Sequence, residues 1–190
     1  MGKTMSQESK EQIKTAHHSK DNQAAQEKFL SEGIEKMWKK GMTAKEAMGV
    51  SSSYLEGIYA QAYRLYNTGK YAEAVHLFRI LVMFNAMEPK YMVGLAACFH
   101  MLKDFSNAIQ NYTIASVLDP ENPIPHYHCA DCSIQMKEYL SAMLYLELTI
   151  ERCDEKPEFA KMKERAQLSL ESLKKQTIST SETARPSEKI

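Results

Sequence analysis

Tyr71-Ala72-Glu73-Ala74-Val75-His76-Leu77-Phe78 decides the fold once it is laid over the chain 34 residues further on. Phe105-Ser106-Asn107-Ala108-Ile109-Gln110-Asn111-Tyr112 matches it there, and Tyr139-Leu140-Ser141-Ala142-Met143-Leu144-Tyr145-Leu146 follows after the same interval. In each copy a ring opens the stretch, an alanine comes three places later, and a large apolar residue follows one helical turn on. A fourth column, Ala62, Ala96 and Ala130, precedes the copies at the same interval. Agreement of four columns over three gapless units marks an internal repeat. The chemistry of the columns is coherent. Small residues at Ala62 and Ala74 let two antiparallel helices approach closely. The ring at Tyr71 plugs the gap between helices, and Phe78 fills the next layer. A helix–turn–helix unit of this kind cannot bury its apolar face alone and must stack on a neighbour.

Outward from the repeats the apolar spacing stays helical. Phe29-Leu30, Gly33-Ile34 and Met37-Trp38 recur every four residues, which predicts a helix over 22–40. Gly41 is placed to end it, and Thr43 with Glu46 has the capping-box spacing. Beyond the repeats, Pro157 suits a first helical turn. Phe159, Met162, Ala166, Leu170 and Leu173 then predict an amphipathic helix over 157–176, closed by Lys174 and Lys175. The chain therefore reads as all-α. Residues 1–21 are expected to be a disordered tail, 22–54 an N-terminal helical region, 55–156 three repeats, 157–176 a capping helix, and 177–190 a second loose tail.

Composition excludes several classes of function. The 190 residues carry 24 Lys+Arg and 24 Asp+Glu. A domain that grips nucleic-acid phosphates carries a basic excess, and a neutral chain has no long-range pull toward an anionic membrane. The densest apolar run, Ile80-Leu81-Val82-Met83-Phe84, is far too short to span a bilayer. The first residues lack the apolar stretch of a secretory signal, and Met1-Gly2-Lys3-Thr4-Met5-Ser6 meets only a loose lipidation pattern. Four cysteines without a signal read as reduced thiols. Gly69-Lys70 has Arg64 where a phosphate-binding loop needs its first glycine.

The pattern resembles the tetratricopeptide repeat, in units 55–88, 89–122 and 123–156. The family's turn glycine stands as Gly69 but is replaced by Lys103 and Lys137, and its closing proline appears only as Pro120. The resemblance implies a concave surface lined by the first helix of each unit. Transferred by position, the first unit presents Tyr59, Tyr63 and Tyr66, the second Val93, Ala97 and His100, the third Tyr127, Asp131 and Ile134. Such rings are either core or a binding surface. Ile58, Ala62 and Leu65 already occupy the adjacent core face, which leaves the tyrosines to capture an extended peptide. Tetratricopeptide co-chaperones that hold acidic tails use a clamp of Lys, Arg and Asn. The corresponding positions here are Tyr59, Tyr63, Gly94, Ile124 and His128, which offer no fixed cation.

Longer words narrow the resemblance. Leu55-Glu56-Gly57-Ile58-Tyr59-Ala60-Gln61-Ala62-Tyr63, Tyr66-Asn67-Thr68-Gly69-Lys70-Tyr71, Gly94-Leu95-Ala96-Ala97-Cys98 and Leu118-Asp119-Pro120-Glu121-Asn122-Pro123 follow in order. His128-Cys129-Ala130-Asp131-Cys132 closes the series. With Gly41-Met42-Thr43 they resemble the class II chaperones of bacterial type III secretion over residues 25–155. The resemblance implies a cytosolic bacterial protein, without enzymatic activity or cofactor, that holds hydrophobic translocator proteins before export. It matches Tyr59, Tyr63, Tyr66 and Tyr71 to groove aromatics, with His100 and Tyr127 as further matches. It also implies a homodimer made through the N-terminal region, where Phe29, Ile34, Met37 and Trp38 either cap the first unit or pair with a second copy. A general scaffold bridging cytosolic proteins is the alternative.

Other motifs carry less. His126, His128, Cys129 and Cys132 could ligate a metal, yet all fall on one helix, whereas structural zinc usually joins two segments. Glu147, Glu151, Asp154 and Glu155 read as a solvated helix face. Met83, Met87, Met92 and Met101 read first as core filling.

Overall fold

The computed structural model describes residues 27–28, 30–37, 39–154 and 156–183, with side chains to 177. The described residues form two compact units, divided between residues 52 and 53.

In the first unit, helical residues 30–37 form α1 and Ala44–Ala47 form α2. Gly41 takes φ 62° and its N–H donates to the Met37 carbonyl at 3.1 Å, so glycine ends the helix in the left-handed region. Thr43 caps α2 reciprocally. The Glu46 N–H donates to Thr43 Oγ1 at 3.2 Å, and the Thr43 N–H donates to Glu46 Oε2 at 2.9 Å. The Thr43 N–H, and then its hydroxyl, donate to the Glu46 carboxylate and hold it below its usual range. Gly33 is buried, and a Cβ there would meet Met48 Cγ at 3.8 Å, an ordinary packing distance. Residues 22–26 of the expected helix, together with Phe29 and Trp38, lie outside the described residues.

The second unit is a run of antiparallel helices: α3 (Ser52–Asn67), α4 (Tyr71–Phe84), α5 (Pro89–Met101), α6 (Phe105–Leu118), α7 (Ile124–Gln135) and α8 (Tyr139–Arg152). A 3-10 turn, Pro157–Phe159, leads into α9 (Ala160–Thr183). The rings of the repeat, Tyr71, Phe105 and Tyr139, each begin the second helix of their unit. Ala62, Ala74, Ala96, Ala108 and Ala142 are fully buried, and Phe78, Tyr112 and Leu146 are at most 2% exposed. Those columns are the core. From α4 to α9 each helix packs on its successor.

The turns explain how lysine replaces glycine. Gly69, Lys103 and Lys137 all take positive φ, at 78°, 62° and 62°. In each turn the next N–H reaches back five residues, from Lys70 to Leu65, Asp104 to Phe99 and Glu138 to Ser133, all at 2.9 Å. This closure satisfies carbonyls left open at the helix end. A non-glycine residue in that conformation costs about 1–2 kcal/mol, which the closed turn offsets.

α9 buries Ala166, Leu170 and Leu173 against Ala130, Ala142 and Leu146, so it covers the apolar face of the third unit. The helix continues past the expected end at 176 to Thr183. No glycine or proline interrupts it before Pro186, and Thr177 Oγ1 donates to the Leu173 carbonyl at 2.8 Å. Residues 1–21 and 184–190, expected as loose tails, lie outside the described residues.

The methionines depart from expectation. Met92 is buried, but Met83, Met87 and Met101 are exposed, because the core columns between α4 and α6 are already filled. All four cysteines are free and buried. Burial pushes the Cys98 and Cys129 thiols up to about 12, so both stay neutral. Among the described residues no helix is long and apolar enough to cross a membrane.

Candidate functional site

α3 carries Tyr59, Tyr63 and Tyr66 beside its core residues, with Tyr63 the most exposed of the three. Leu55 and Ala62 are buried, while Tyr59 and Tyr66 are half-buried and Tyr63 is 53% exposed. Tyr59 and Tyr63 stack with centroids 6.3 Å apart. Tyr59 also meets the edge of Phe78 at 6.1 Å and Tyr91 at 5.8 Å. The result is a cleft of about 370 Å³ between the first and second repeats, with Tyr59, Tyr63 and Tyr66 on one wall and Val93, Gly94 and Ala97 on the other. Phe78 lies at its floor, and Glu88, Lys90, Asp119 and Asn122 stand at its polar margin. Burial pushes the Tyr59 and Tyr66 phenols up, so both are neutral hydrogen-bonding tips on apolar rings.

Of the residues expected in the groove, Tyr59, Tyr63, Tyr66, Val93 and Ala97 come together here. Tyr71 stands behind Tyr66, edge to face at 5.4 Å. His100 and Asp131 meet further along, where His100 Nε2 and Asp131 Oδ2 are 3.1 Å apart between α5 and α7. Tyr127 meets His128 at 5.9 Å and packs against the cluster shared with α9. These four are not in the cleft lining.

Lys90 is the residue the sequence reading missed. It lies outside the five clamp positions and brings a cation to the cleft. Its ammonium lies 4.9 Å from the Tyr59 centroid and 5.5 Å from that of Tyr91. It also donates to Glu56 at 2.7 Å, which raises its pKa. The cation is thus already matched by a carboxylate. Lys90 stands 34 residues after Glu56, one repeat on. Gly94 carried a signal, since glycine inside a helix often marks a close approach.

The second junction is polar. His128 lies parallel to Tyr112 at 5.2 Å, with His100 edge-on at 5.9 Å. Hydrogen bonds to Asp131 and then Cys132 push the His100 imidazole up to about 9, so it is charged at neutral pH. Burial, then the His100 charge, lowers His128 and keeps it neutral. The histidines of the suspected metal motif turn to different partners: His126 stacks on Tyr145 at 6.4 Å and His128 on Tyr112. Among the described residues no three His, Cys, Asp or Glu side chains are grouped to hold a metal ion.

The tetratricopeptide repeat family model matches residues 55–83 and 89–122. Low calcium response locus protein H of Yersinia pseudotuberculosis is 30% identical over 82% of this chain and 88% of its own length. Chaperone protein SicA of Salmonella dublin is 32% identical over 78% of this chain and 84% of its own. A type III secretion complex from Aeromonas hydrophila superposes with TM-score 0.72 at 30% identity, over 76% of this chain and 96% of that one. The Yersinia enterocolitica type III secretion translocator chaperone SycD, in complex with a peptide of the translocator YopD, gives TM-score 0.65 at 31% identity, over 67% and 98%. The same chaperone also forms an alternative dimer. With its repeats, its tyrosine-walled cleft and these relatives matched over most of their length, the chain belongs to the type III secretion translocator chaperones.

Proposed function

We propose that this chain is a bacterial cytoplasmic chaperone, without catalytic activity, that holds an extended segment of a hydrophobic translocator in its groove. The observation that carries the reading is the cleft itself. Tyr59, Tyr63, Tyr66, Val93 and Ala97 offer apolar surface, and its one lysine is already paired with Glu56. The peptide of the translocator YopD held by the Yersinia relative supports the same reading. Along the groove, Tyr71, His100, Tyr127 and Asp131 extend the site beyond the cleft.

The mechanism is burial. A protein built to enter a membrane aggregates or inserts early when free in the cytosol. Covering one apolar segment delays both, and the segment must later be released. Affinity is therefore expected near micromolar or below, about −8 to −10 kcal/mol. A homodimer forms through the N-terminal stripe of Phe29, Ile34, Met37 and Trp38. Ile34 and Met37 are exposed and, with Gly41 and Met42, line a separate hollow of about 490 Å³.

The test is co-expression with membrane-active secretion substrates, scored by their solubility, followed by calorimetry. Tyr59→Ala and Tyr63→Ala are expected to weaken client binding about tenfold each, with circular dichroism unchanged. Unchanged binding in both variants removes the groove assignment. A chain that joins several soluble proteins and solubilises no membrane-active client would instead be a scaffold.

A further inference from the structure

Residues 60, 94 and 128 occupy one position of the repeat and are Ala60, Gly94 and His128. At both junctions this position faces the large aromatic of the preceding unit. Phe78 lies so close over Gly94 that a Cβ there would overlap ring atoms Cε1 and Cζ, with Cδ1 at 2.8 Å. Tyr112 instead carries the His128 ring stacked upon it at 5.2 Å. At the first junction the aromatic sinks against bare helix backbone, and a cleft of about 370 Å³ stands open above it. At the second junction a side chain fills the corresponding space.

Phe78 is closely packed except toward the cleft. It is 1% exposed and its neighbour Tyr59 is held in turn by Tyr63 and Tyr91. A methyl group at residue 94 would push the ring away from α5, and the free space on that side is the cleft. Helix propensity runs the other way: alanine is favoured over glycine in a helix interior by about 1 kcal/mol. Glycine here runs against local helix preference, which fits a role in close approach.

We propose that Gly94 is a specificity-determining residue: by letting Phe78 sink, it sets the depth of a pocket that takes one large apolar side chain of the client, while His128 closes the equivalent pocket one repeat on. The inference deepens the groove reading and rests on it. It predicts a client segment with one deeply buried aliphatic or aromatic anchor at the first junction and a smaller or polar residue at the second.

The experiment uses the full chain and its Gly94→Ala variant. The probes are the YopD peptide held by the Yersinia relative and versions with each large apolar residue replaced in turn by alanine. The unmodified chain is expected to bind the parent peptide and to lose about tenfold or more on one replacement, the range an apolar pocket gives for missing methylenes. Gly94→Ala is expected to bind the parent about tenfold less well and no longer to distinguish it from that replacement. An unchanged ratio overturns the assignment. The double variant Gly94→Ala with Phe78→Leu relieves the overlap. It is expected to regain helicity and parent-peptide binding, which separates lost depth from lost folding. A second readout needs no peptide: Gly94→Ala must weaken the nuclear Overhauser contacts between the Phe78 ring and the backbone of residue 94. Unchanged contacts overturn the proposal outright. Failure of the unmodified chain to bind any peptide counts against the groove reading, with the ring contacts still deciding the role of Gly94.

Discussion

At the first repeat junction Phe78 faces Gly94 and three tyrosines wall an open cleft; at the second, Tyr112 faces His128, and His100 pairs with Asp131. The helices around both junctions start in the same register, and Ala62, Ala96 and Ala130 are buried alike. The size-defining columns therefore build the array without deciding what its surface does. That is decided by positions beside them. At one such position glycine stands at the apolar recess and histidine in the polar, filled seam.

The largest test removes the rings that both junctions share. Phe78→Ala and Tyr112→Ala are each expected to cost about 3–5 kcal/mol in urea unfolding, the range for a fully buried aromatic. A loss under about 2 kcal/mol for either would mean that the ring belongs to the surface, not the core. Asp131→Asn probes the polar seam alone. The charged form of His100 is favoured in the folded chain, so its contribution is fully present below the ordinary value of 6.5 and fades as pH rises through about 9. The variant is expected to bring the His100 titration, followed by NMR, back toward 6.5 and to flatten stability over that window. An unmoved titration would dismiss the ion pair as the cause. The smallest effect concerns the turns. Lys103→Gly and Lys137→Gly are expected to stabilise by about 1 kcal/mol each, because glycine adopts positive φ without steric cost. No gain in thermal midpoint would mean that the lysine turns carry no strain relative to that at Gly69.

Those outcomes bear on how far residues can be read directly. The repeat was legible because burial fixes size: every alanine column and Phe78, Tyr112 and Leu146 must fit between helices. The tyrosine wall was legible in part: Tyr63 is exposed, but Tyr59 and Tyr66 are half-buried like Ile58 and Leu65, and Tyr59 packs on Phe78 and Tyr91. Lys90 was not, because the expected clamp positions exclude it and its partner Glu56 lies in another unit. Nor was His128, whose neighbours in sequence suggest a ligand set while its neighbour in space is Tyr112. Met83, Met87 and Met101 misled because a thioether suits either core or surface, and only the filled alanine columns decide. The end of α9 was set early by composition, yet serine and threonine continue a helix when nothing breaks it.

The succession of helices, each packed on the next from α4 to α9, also bears on timing. Contacts between sequence neighbours need only short loops to close, and helical chains of that kind fold in about microseconds to milliseconds. Ribosomes add about 5–20 residues each second. Each repeat can thus settle on its predecessor while the chain is still being made. The groove would be complete almost as soon as the last helix leaves the ribosome.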